Sequence, residues 1–394
     1  MKILFLDQSG KLGGAELSLM DIATFHRDRC LVGLFADGAF YQALKQRQVP
    51  AKILTQQALN VRKESSFWQS LGSLGQLLPL VANVVQLSRE YDIIYANTQK
   101  ALVVGAIASL FSRRPFIYHL RDILSEEHFS RNNVRLAVTL ANWCATKVIT
   151  NSKATQAAFV AAGGDAERTS VVYNGFQPEH YQSSKDEIAK LRQELNLEGC
   201  YAVGHFSRLS PWKGQHILLE ALLACPREVV AVFVGDALFG ETQYIETLQR
   251  KVQDLGLTDR VRFLGFRSDI PQLMGACDLI AHTSTAAEPF GRVIVEAMFS
   301  DRPIVAAEAG GAVELIQHGV TGWLTPPGDV SKLADIINHC REAPEQTATI
   351  SQQAKLQAMQ RFHVDTLNQR IENLLVEVVH KAQPDLAMAQ LNQP

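Results

Sequence analysis

The stretch Glu288-Pro-Phe-Gly-Arg-Val-Ile-Val-Glu296 combines two carboxylates, a proline, a glycine and an apolar run. Proline fixes φ and lacks an N–H, so Pro289 is predicted at the first position of a helix, with Glu288 extended before it. Glu296 is then expected about two turns into that helix, at ~1.5 Å of rise per residue. The free N–H groups at the helix start favour an anion, and Gly291 has no Cβ to block its approach. The stretch therefore predicts two hydroxyl-binding carboxylates beside a phosphate-binding helix end, the outline of a site for a sugar nucleotide.

Length and composition set limits on the class of protein. At 394 residues the chain is long for one core and predicts two domains. Its apolar fraction (47%) is that of an average globular protein, and its net charge of −2 argues against a general nucleic-acid binder. The six cysteines form no C-x-x-C pair, so we expect reduced, mostly buried thiols. Neither a leader peptide nor a membrane-crossing helix is expected, because Lys2 leads directly into a strand and the longest apolar run, Ala101 to Phe111, is short.

Strands and amphipathic helices alternate along both halves of the chain, which predicts parallel, doubly wound α/β sheets. Expected strands in the first half are Ile3–Leu6, Leu31–Phe35, Ala51–Leu54, Ile93–Tyr95, Phe116–His119, Lys147–Thr150 and Val171–Tyr173. Those of the second half are Ala202–Phe206, Val229–Val234, Val261–Leu264, Leu279–His282 and Pro303–Ala306. Ligands bind such sheets outside the carboxyl ends of the strands. The polar loops at these ends are therefore the candidate sites: Gly13-Gly14, Asn97-Thr98, His119-Leu-Arg-Asp122 and Asn151-Ser152 in the first half.

A basic pair, Arg208 and Lys213, lies in the loop after the first strand of the second half. An Arg fork and a Lys point charge at a strand's carboxyl end suit a diphosphate. Taken alone, the two residues fit a solvated surface pair better. Beside Gly214 and the 288–296 stretch, the diphosphate clamp becomes the favoured interpretation.

The two glutamates also have a plainer interpretation, as a helix cap and an ordinary helix residue. Glu296 lies between apolar neighbours, however, and burying an unpaired carboxylate there would be costly, so a hydroxyl-binding role is favoured for it. Glu288 on its own is an even choice between the two.

His119 ends a strand beside Arg121 and Asp122, and an active-site role is slightly favoured over simple packing. Gly13-Gly14 lacks the G-x-G-x-x-G spacing of a dinucleotide fold, which weakens an NAD or FAD interpretation. No two aspartates stand two residues apart, so the D-x-D arrangement that would hold a catalytic divalent metal is absent.

Residues 67–78 carry apolar side chains at 67, 71, 74, 77 and 78, with Arg62 and Lys63 upstream. Such a stretch could rest on a membrane or receive a hydrophobic acceptor. A packed stripe or lid is the favoured interpretation.

The order of motifs in the second half resembles the carboxyl-terminal domain of the group 1 glycosyltransferases, the large retaining family 4 with the GT-B fold. The resemblance rests on Arg208…Lys213-Gly214, Phe263-Leu-Gly-Phe266, 288–298, Pro303…Gly310-Gly311…Glu314 and Gly319…Thr321-Gly322…Pro326-Pro-Gly-Asp329. The first half matches less closely, through Gly13-Gly-Ala-Glu16, His119, Asn151-Ser152 and Asn174-Gly175. Phe176-Gln177 departs from the aliphatic–aspartate pair usual after that glycine.

The resemblance implies two Rossmann-like domains facing across a cleft. It implies an amino-terminal, acceptor-side domain over 1–180, a linker over 181–198 and a nucleotide-sugar-binding domain over 199–365. A helix over 366–382 would cross back to the first domain, and 383–394 would form a flexible tail.

The resemblance also implies metal-independent transfer of a sugar from a nucleotide donor, with UDP- or GDP-sugars favoured, and no cofactor. Glu288 would bind the donor sugar as a catalytic residue and Glu296 would bind the ribose, while Arg208 and Lys213 would hold the diphosphate. The remaining implied contacts are the Phe290 and Gly291 amides at the diphosphate, Phe266-Arg267 at the base, His119 beside the sugar as a catalytic residue, and Gly14 near donor or acceptor. No metal ligand is implied.

The acceptor is expected to be a hydroxyl of a glycan, a lipid-linked molecule or a small molecule, and no nucleic acid is expected as a partner. The expected location is the cytoplasm, with weak peripheral contact at the inner membrane face as an addition. Two alternatives remain open at this point: a sugar-nucleotide epimerase or hydrolase on the same fold, and a non-catalytic nucleotide-sugar-binding subunit.

Overall fold

The structure is a computed structural model that describes residues 1–55, 74–126, 128–237 and 241–382. It divides into two compact units. Unit 1 comprises Met1–Gly175 and the chain from Val364 onward, and unit 2 comprises Phe176–His363. Most of the 67–78 stretch and the tail 383–394 lie outside the described residues.

In its described residues, unit 1 is built on a parallel sheet of seven strands. The strands are β1 (Ile3–Asp7), β2 (Cys30–Leu34), β3 (Ala51–Ile53), β4 (Ile93–Ala96), β5 (Phe116–Leu120), β6 (Lys147–Thr150) and β7 (Thr169–Val171), in the order β3-β2-β1-β4-β5-β6-β7. The helices between them are α1 (Gly14–Phe25), α2 (Ala39–Gln46), α3 (Leu74–Ser88), α4 (Gln99–Ser112), α5 (Arg131–Cys144) and α6 (Lys153–Ala161). Strands β2 and β3 lie on one side of β1, and β4 to β7 lie on the other side. The order of the strands therefore reverses between β1 and β4, and that boundary is the topological switch point.

Successive strand residues of unit 1 face two separate cores, as the two-residue period of a strand requires. Phe116 and Tyr118 pack with α3, α4 and α5 on one face. Ile117 packs on the other face with α1 and with the last helix of the chain, through residues such as Leu19 and Ile371.

Unit 2 is a second parallel sheet, of six strands. These are β8 (Tyr201–Phe206), β9 (Val229–Val234), β10 (Val261–Phe263), β11 (Leu279–His282), β12 (Ile304–Ala307) and β13 (Trp323–Thr325), in the order β10-β9-β8-β11-β12-β13. Its helices are α7 (Lys185–Glu194), α8 (Gln215–Ala221), α9 (Thr242–Asp254), α10 (Ile270–Ala276), α11 (Arg292–Phe299), α12 (Ala312–Leu315), α13 (Val330–Glu342) and α14 (Pro344–Arg361). The switch point of this sheet lies between β8 and β11.

The last helix, α15 (Val364–Ala382), belongs to unit 1. Its Leu375 and Val378 are buried in the core that α1 and β1 share. Glu372 accepts an ion-pair contact of 3.0 Å from Arg29, which fixes the helix against the segment between α1 and β2.

Two sequence expectations about elements are wrong. The last strand of unit 1 is Thr169–Val171, not Val171–Tyr173. Its hydrogen bonds with β6 begin where Val148 N–H donates to Arg168 O and end where Val172 N–H donates to Thr150 O. The helix of the 288–296 stretch begins at Arg292, not at Pro289, and Glu296 lies little more than one turn into it. Glu288 pairs in a short bridge with Gly310, and Gly291 caps the helix at a φ of 89°, so the chain bends before the helix can begin.

Phe176, the departure noted in the sequence, fills an aromatic core of unit 2. Its ring centroid lies 6.3 Å from that of Phe290 and 6.0 Å from that of Phe299, and the Arg292 guanidinium lies 4.4 Å from the same ring. Its backbone N–H donates to Phe362 O at 2.9 Å. The large aromatic therefore serves as packing at the start of the unit.

All six cysteines are free, and four of them are buried. This agrees with the expectation of reduced, mostly buried thiols. Within the described part of the chain, no helix is both long and apolar enough to cross a membrane.

Candidate functional site

The candidate site of unit 2 lies at the carboxyl edge of its sheet, at the switch point. The loop after β8 carries Arg208 and Lys213, and the loop after β11 carries Glu288. Because β8 and β11 are neighbours in the sheet, these loops leave it side by side in opposite directions. Such a crevice is where open α/β sheets bind ligands.

Lys213 and Glu288 meet across this switch point. The distance from Lys213 Nζ to Glu288 Oε2 is 2.5 Å, and each side chain is largely buried. The Lys213 ammonium also lies 4.0 Å from the centre of the Trp212 ring, a cation–π contact. The cation is thus held from two sides rather than extended into solvent.

The turn that presents Lys213 is fixed by the strands beneath it. Thr283 Oγ1 donates to Gly214 O at 2.7 Å, and His205 Nε2 bonds Thr283 Oγ1 at 3.0 Å. Burial lowers the pKa of His205 to about 3, and His282 adds to that effect, so His205 is a neutral partner. Gly214 has a φ of 70°, and a Cβ there would lie 1.9 Å from Thr283 O. The site thus requires glycine at this turn.

Glu288 is an ionised carboxylate in this arrangement. Besides Lys213, Oε2 accepts from His282 Nε2 and from Ser284 Oγ, each at 3.2 Å. Burial alone would raise the pKa of Glu288, but the Lys213 charge and the His282 hydrogen bond outweigh it and hold the pKa well below its usual range. An ionised carboxylate is a pure acceptor, which suits it to hydroxyl donors.

Arg208 forms a second ion pair near the first. Its Nε lies 3.2 Å from Glu241 Oε2, and Ser210 Oγ donates to Glu241 Oε1 at 2.7 Å. Gln215 Nε2 donates to Arg208 O at 3.0 Å, which fixes the backbone of the loop. The loop after β8 therefore holds two cations, each matched by a carboxylate from another element.

The residues around the start of α11 divide between packing and the site. Phe290 is buried with its ring in the Phe176 cluster, so only its backbone is suited to a ligand. Gly291 is the residue that caps the helix. Glu296 pairs with Arg292 one turn before it, at 3.3 Å.

Phe266 and Arg267 follow β10, at the same edge of the sheet. Phe266 is 72% exposed, which is unusual for a large apolar side chain. Arg267 makes a two-pronged contact with Asp269. Gly235 N–H donates to Gly265 O at 2.8 Å, so this loop adjoins the loop after β9.

In unit 1, polar side chains form a buried network at the equivalent edge. Asn97 Nδ2 donates to Asp7 Oδ2 at 2.7 Å across the β1–β4 switch point. Arg121 donates from Nε to Asn97 Oδ1 and from Nη1 to Asn174 Oδ1, at 2.9 and 2.6 Å. The residues that the sequence placed at the strand ends are thus joined by a chain of hydrogen bonds.

His119 lies one residue inside β5 and faces the core shared with α1 and α15. It is buried and hydrogen-bonded through Nδ1 to the Tyr95 hydroxyl. Burial, with a smaller contribution from Arg121, lowers the pKa of His119 well below its usual range. Among the described residues no hydrogen-bond partner reaches its Nε2, and the ring lines a cavity of about 10 Å³ together with Asn174 and Asn368. A catalytic role for His119 stays a prediction. Arg121 is the residue of this segment that joins the buried polar network.

Gly14 is the first residue of α1, and Gly13 precedes it in extended conformation. Glu16, in the same turn, is buried. Burial raises the pKa of Glu16 to about 8, and the Asp7 carboxylate adds to the rise. A carboxyl group that holds its proton near neutral pH therefore adjoins Gly14.

Several of these partners escaped the sequence interpretation: Glu241, His282, Ser284, Thr283 and His205. They lie on elements far apart in sequence, and only the strand order brings them together. One signal was available, the run His282-Thr-Ser-Thr285 at the end of a buried strand, since polar residues there lie at the binding edge. In the described residues, no group of three or more His, Cys, Asp or Glu side chains is arranged to hold a metal ion.

Comparison with protein families matches both halves of the chain. Residues 187–357 match the family described as glycosyl transferases group 1, and residues 22–175 match a glycosyl transferase 4-like domain. Among solved structures, Anabaena HepE in complex with UDP-glucose is 60% identical, with a TM-score of 0.90, and the match covers 96% of this chain and 100% of that one. The same protein has been solved in complex with UDP and glucose.

Curated relatives are more distant. Spore coat protein SA of Bacillus subtilis is 30% identical over 227 residues, 54% of this chain and 59% of that protein. A GDP-mannose-dependent phosphatidylinositol monomannoside mannosyltransferase of Mycolicibacterium smegmatis is 28% identical over 232 residues, 57% of this chain and 60% of that protein. The matched stretch thus spans about three fifths of the length of these two relatives. Given the two family matches and the full-length likeness to HepE, the chain belongs to the group 1 glycosyltransferases of family 4, which have the GT-B fold.

Proposed function

We propose that this protein transfers a sugar from a nucleoside-diphosphate donor to an acceptor hydroxyl, with retention of anomeric configuration and without a metal ion. UDP-glucose is the first candidate donor, because a protein 60% identical over its whole length binds it. A GDP-sugar is the second candidate, on the weaker ground of a 28% identical relative that is GDP-mannose-dependent.

The observation that carries the proposal is the Lys213–Glu288 contact across the β8–β11 switch point. The leaving group of the reaction is a nucleoside diphosphate, so the main catalytic task is to stabilise charge that develops on phosphate oxygens. A fixed ammonium, a guanidinium and backbone N–H groups at a helix start can do this without reorganising during the reaction. Lys213, Arg208 and the start of α11 are the groups we assign to it.

The carboxylates are assigned to the hydroxyl groups of the donor. The Lys213, His282 and Ser284 contacts of Glu288 all involve Oε2, so Oε1 is the oxygen we assign to the donor sugar. Glu296 would bind the ribose. The exposed ring of Phe266, with Arg267, would contact the base. We assign no covalent nucleophile, and an acceptor that attacks from the side of the leaving group would retain configuration.

The acceptor side is assigned to unit 1, with Gly14 as a candidate residue near donor or acceptor and His119 as a candidate catalytic residue beside the donor sugar. We propose a glycan, a lipid-linked molecule or a small-molecule hydroxyl as the acceptor, and the cytoplasm as the place of reaction. Weak peripheral contact with the inner membrane face would suit a lipid-linked acceptor.

The donor assignment is tested by calorimetric titration of the full chain with UDP-glucose, GDP-glucose and ADP-glucose. We expect UDP-glucose to bind tightest, with Glu296→Gln weakening all three nucleotides because the ribose is common to them. Glu220→Gln is the matched control, since Glu220 pairs with Lys251 as Glu296 pairs with Arg292 but lies on α8, outside the site. Equal binding by wild type and E296Q would refute the ribose role.

The reaction class is tested by incubating the protein with UDP-glucose, with and without candidate acceptors, and analysing products by NMR. Transfer predicts UDP release that rises with acceptor and an α-linked product from the α-linked donor. Epimer formation without acceptor would identify an epimerase, and UDP release indifferent to every acceptor would identify a hydrolase. Tight donor binding with neither outcome would identify a binding subunit.

A further inference from the structure

The outer surfaces of α3, α4 and α5 expose bulky apolar side chains. The three helices lie side by side on one face of the unit 1 sheet. The exposed fractions are 65% for Leu78, 66% for Leu110, 70% for Phe111 and 84% for Trp143. Single exposed apolar residues are common on proteins, but four large ones on three adjacent helices form a surface that calls for an explanation.

After Lys100 in its first turn, helix α4 carries apolar side chains on its outward face as well as on its inward face. Its inward residues, such as Leu102 and Ala106, are buried against the sheet. Val103, Ile107, Leu110 and Phe111 follow the i, i+4, i+7, i+8 spacing of one helical face; Val103 and Ile107 are half-buried, and Leu110 and Phe111 are exposed. A helix that faces water normally carries polar side chains there, so the sequence of α4 suits a helix that is covered on both sides.

The charged side chains within the three helices are all cationic. Helices α3, α4 and α5, of 15, 14 and 14 residues, contain Lys100, Arg131 and Arg135 and no Asp or Glu. Arg113 caps the carboxyl end of α4, two residues after Phe111, and is exposed. Arg131 is partly neutralised by an exposed ion pair with Glu126, at 3.5 Å, whereas Arg135 lies on the solvent face of α5 in the stripe that ends at Trp143. The chain as a whole has a net charge of −2, so this cationic balance is local.

We infer that the outer surface of α3, α4 and α5, the helix surface defined by Leu78, Leu110, Phe111, Trp143, Arg113 and Arg135, docks on an anionic lipid bilayer. Tryptophan and phenylalanine suit the boundary between headgroups and acyl chains, and arginines suit lipid phosphates. The 14 residues of α4 rise ~21 Å, less than the ~30 Å of bilayer hydrocarbon, so the helices would lie on the bilayer rather than across it. The inference deepens the membrane contact of the proposed function, concerns a surface that the donor site does not use, and does not depend on the proposed transfer.

The test is sedimentation of the full chain with phosphatidylcholine vesicles that contain or lack phosphatidylglycerol. We expect binding to the anionic vesicles that weakens as salt is raised. The double variant Phe111→Ser, Trp143→Ser should lower the partition coefficient at least tenfold, and Arg113→Asn with Arg135→Gln should remove the preference for phosphatidylglycerol. The midpoint of thermal unfolding should match wild type in both, which would show that the variants are folded.

Matched controls come from unit 2. Leu223 and Leu356 are 54% and 56% exposed, so Leu223→Ser with Leu356→Ser removes comparable apolar groups elsewhere, and Arg250→Gln removes an exposed cation. These variants should bind vesicles as wild type does. A further readout is tryptophan emission: a blue shift on anionic vesicles should vanish in Trp143→Phe and persist in Trp323→Phe, whose ring is buried.

Three outcomes would overturn the inference. The first is the absence of wild-type binding to either vesicle, and the second is equal partitioning of wild type and the helix-surface variants. The third is a concentration-dependent dimer in solution that the helix-surface variants abolish, together with no binding of the protein to vesicles. That result would assign the surface to a second copy of the chain.

Discussion

Lys213 and Glu288 form an ion pair that is mostly removed from water, and this arrangement has consequences for both residues. Taking two charges out of water is costly, and mutual attraction repays the cost only with good geometry and further hydrogen bonds. Here His282 and Ser284 supply those bonds to Glu288. Removing one partner would leave the other charged and poorly solvated. Each member of the pair therefore holds the other in place at the carboxyl edge of the sheet.

Replacing Lys213 by methionine should lower the transfer rate by roughly 10²-fold or more, because one fixed charge that stabilises the leaving diphosphate is lost. The Lys213 charge is the largest of the effects that lower the pKa of Glu288, so the pKa of Glu288 should rise when that charge is removed. Steady-state rates of UDP release with acceptor measure the first effect. The second would shift the acid limb of the pH–rate profile upwards.

Lys251→Met is the matched control for this change. Lys251 Nζ lies 2.5 Å from Glu220 Oε1, the same separation as in the Lys213–Glu288 pair, but this pair is more exposed and joins α9 to α8. Its loss should leave the rate within about twofold, since surface pairs contribute little. Wild-type rates in Lys213→Met would refute the role of Lys213.

Glu16 gives a prediction about stability and pH. Its folded pKa of about 8 lies above the ordinary value of 4.5, because of burial first and the Asp7 carboxylate second. Between these values the folded chain binds more protons than the unfolded chain, so the contribution of Glu16 to stability is complete below pH 4.5 and is lost as pH rises to about 8. Glu16→Gln cannot ionise and should escape that loss.

Chemical denaturation of wild type and Glu16→Gln at pH 5 and pH 9 checks this sign. The variant should gain stability relative to wild type by a few kcal/mol on going to pH 9, an order of magnitude set by ~1.4 kcal/mol per pKa unit. Glu246→Gln, on the exposed surface of α9, should show no such gain. A relative loss for Glu16→Gln at pH 9 would contradict the raised pKa.

At this scale the sequence predicts the identity of the charged residues better than their partners. Arg208, Lys213, Glu288 and Glu296 could be found from motif spacing, because each motif is a short continuous segment. Glu241 and His282 could not be paired with them, since these contacts join residues 33 and 6 positions apart through the fold rather than through a local pattern. The burial of His119 could not be predicted either. A residue near the end of a strand can face the core or the polar edge of the sheet, and the sequence alone does not distinguish the two.

The element that decides the geometry of the cations is the turn from Ser210 to Gly214, which begins as a 3₁₀ helix over Pro211–Lys213. Pro211 suits its first position, and Gly214 adopts the left-handed conformation that ends it. Thr283 from the neighbouring strand end seals the turn through Gly214 O. The Lys213 ammonium is therefore positioned by backbone geometry as much as by its ion pair.

Gly214→Ala should disrupt this turn. The added Cβ would lie 1.9 Å from Thr283 O, so the turn must move in addition to bearing the ~1–2 kcal/mol cost of a left-handed residue. Gly256→Ala isolates that second cost, since Gly256 has a similar φ of 66° and nothing within 4 Å of its Cβ position. We expect Gly214→Ala to lower both the unfolding midpoint and UDP-glucose affinity, and Gly256→Ala to lower the midpoint slightly and leave affinity unchanged. Equal effects of the two would show that no close approach constrains the turn.

Element boundaries show where local signals end. Lys147–Thr150, Val229–Val234 and Leu279–His282 were predicted with their observed limits, because their apolar runs are bounded by polar or turn residues on both sides. The Pro289 signal failed because Glu288 is held in a bridge with Gly310, a tertiary contact that overrides the preference of proline for a first helical turn. A propensity is a prior that packing can overrule.

At the scale of the whole molecule, both units place their polar groups at the same topological feature. Asp7 meets Asn97 across the β1–β4 boundary, and Lys213 meets Glu288 across the β8–β11 boundary. The alternation of strands and helices predicts two such sheets from the sequence alone, because parallel sheets need a crossover after every strand. The alternation does not predict the order of the strands in the sheet, and therefore it does not predict which loops become neighbours.

The whole-molecule consequence of the proposed chemistry is that donor binding should need no added metal. Arg208, Lys213 and the α11 amides offer positive charge to the diphosphate from the chain itself, so UDP should stabilise the protein in the presence of EDTA. At one hundred times its dissociation constant a ligand contributes ~2.7 kcal/mol, which for a unit of this size is a rise of roughly 5–10 °C in the unfolding midpoint.

Differential scanning calorimetry of the EDTA-treated chain with UDP measures that rise, and transfer assays under the same conditions should retain most of the activity. Lys213→Met should reduce the rise, while Lys251→Met should not, which ties the stabilisation to the proposed clamp. A midpoint that UDP raises only after Mn²⁺ is restored, together with activity that follows the metal, would mean that a metal ion carries the diphosphate charge in this enzyme.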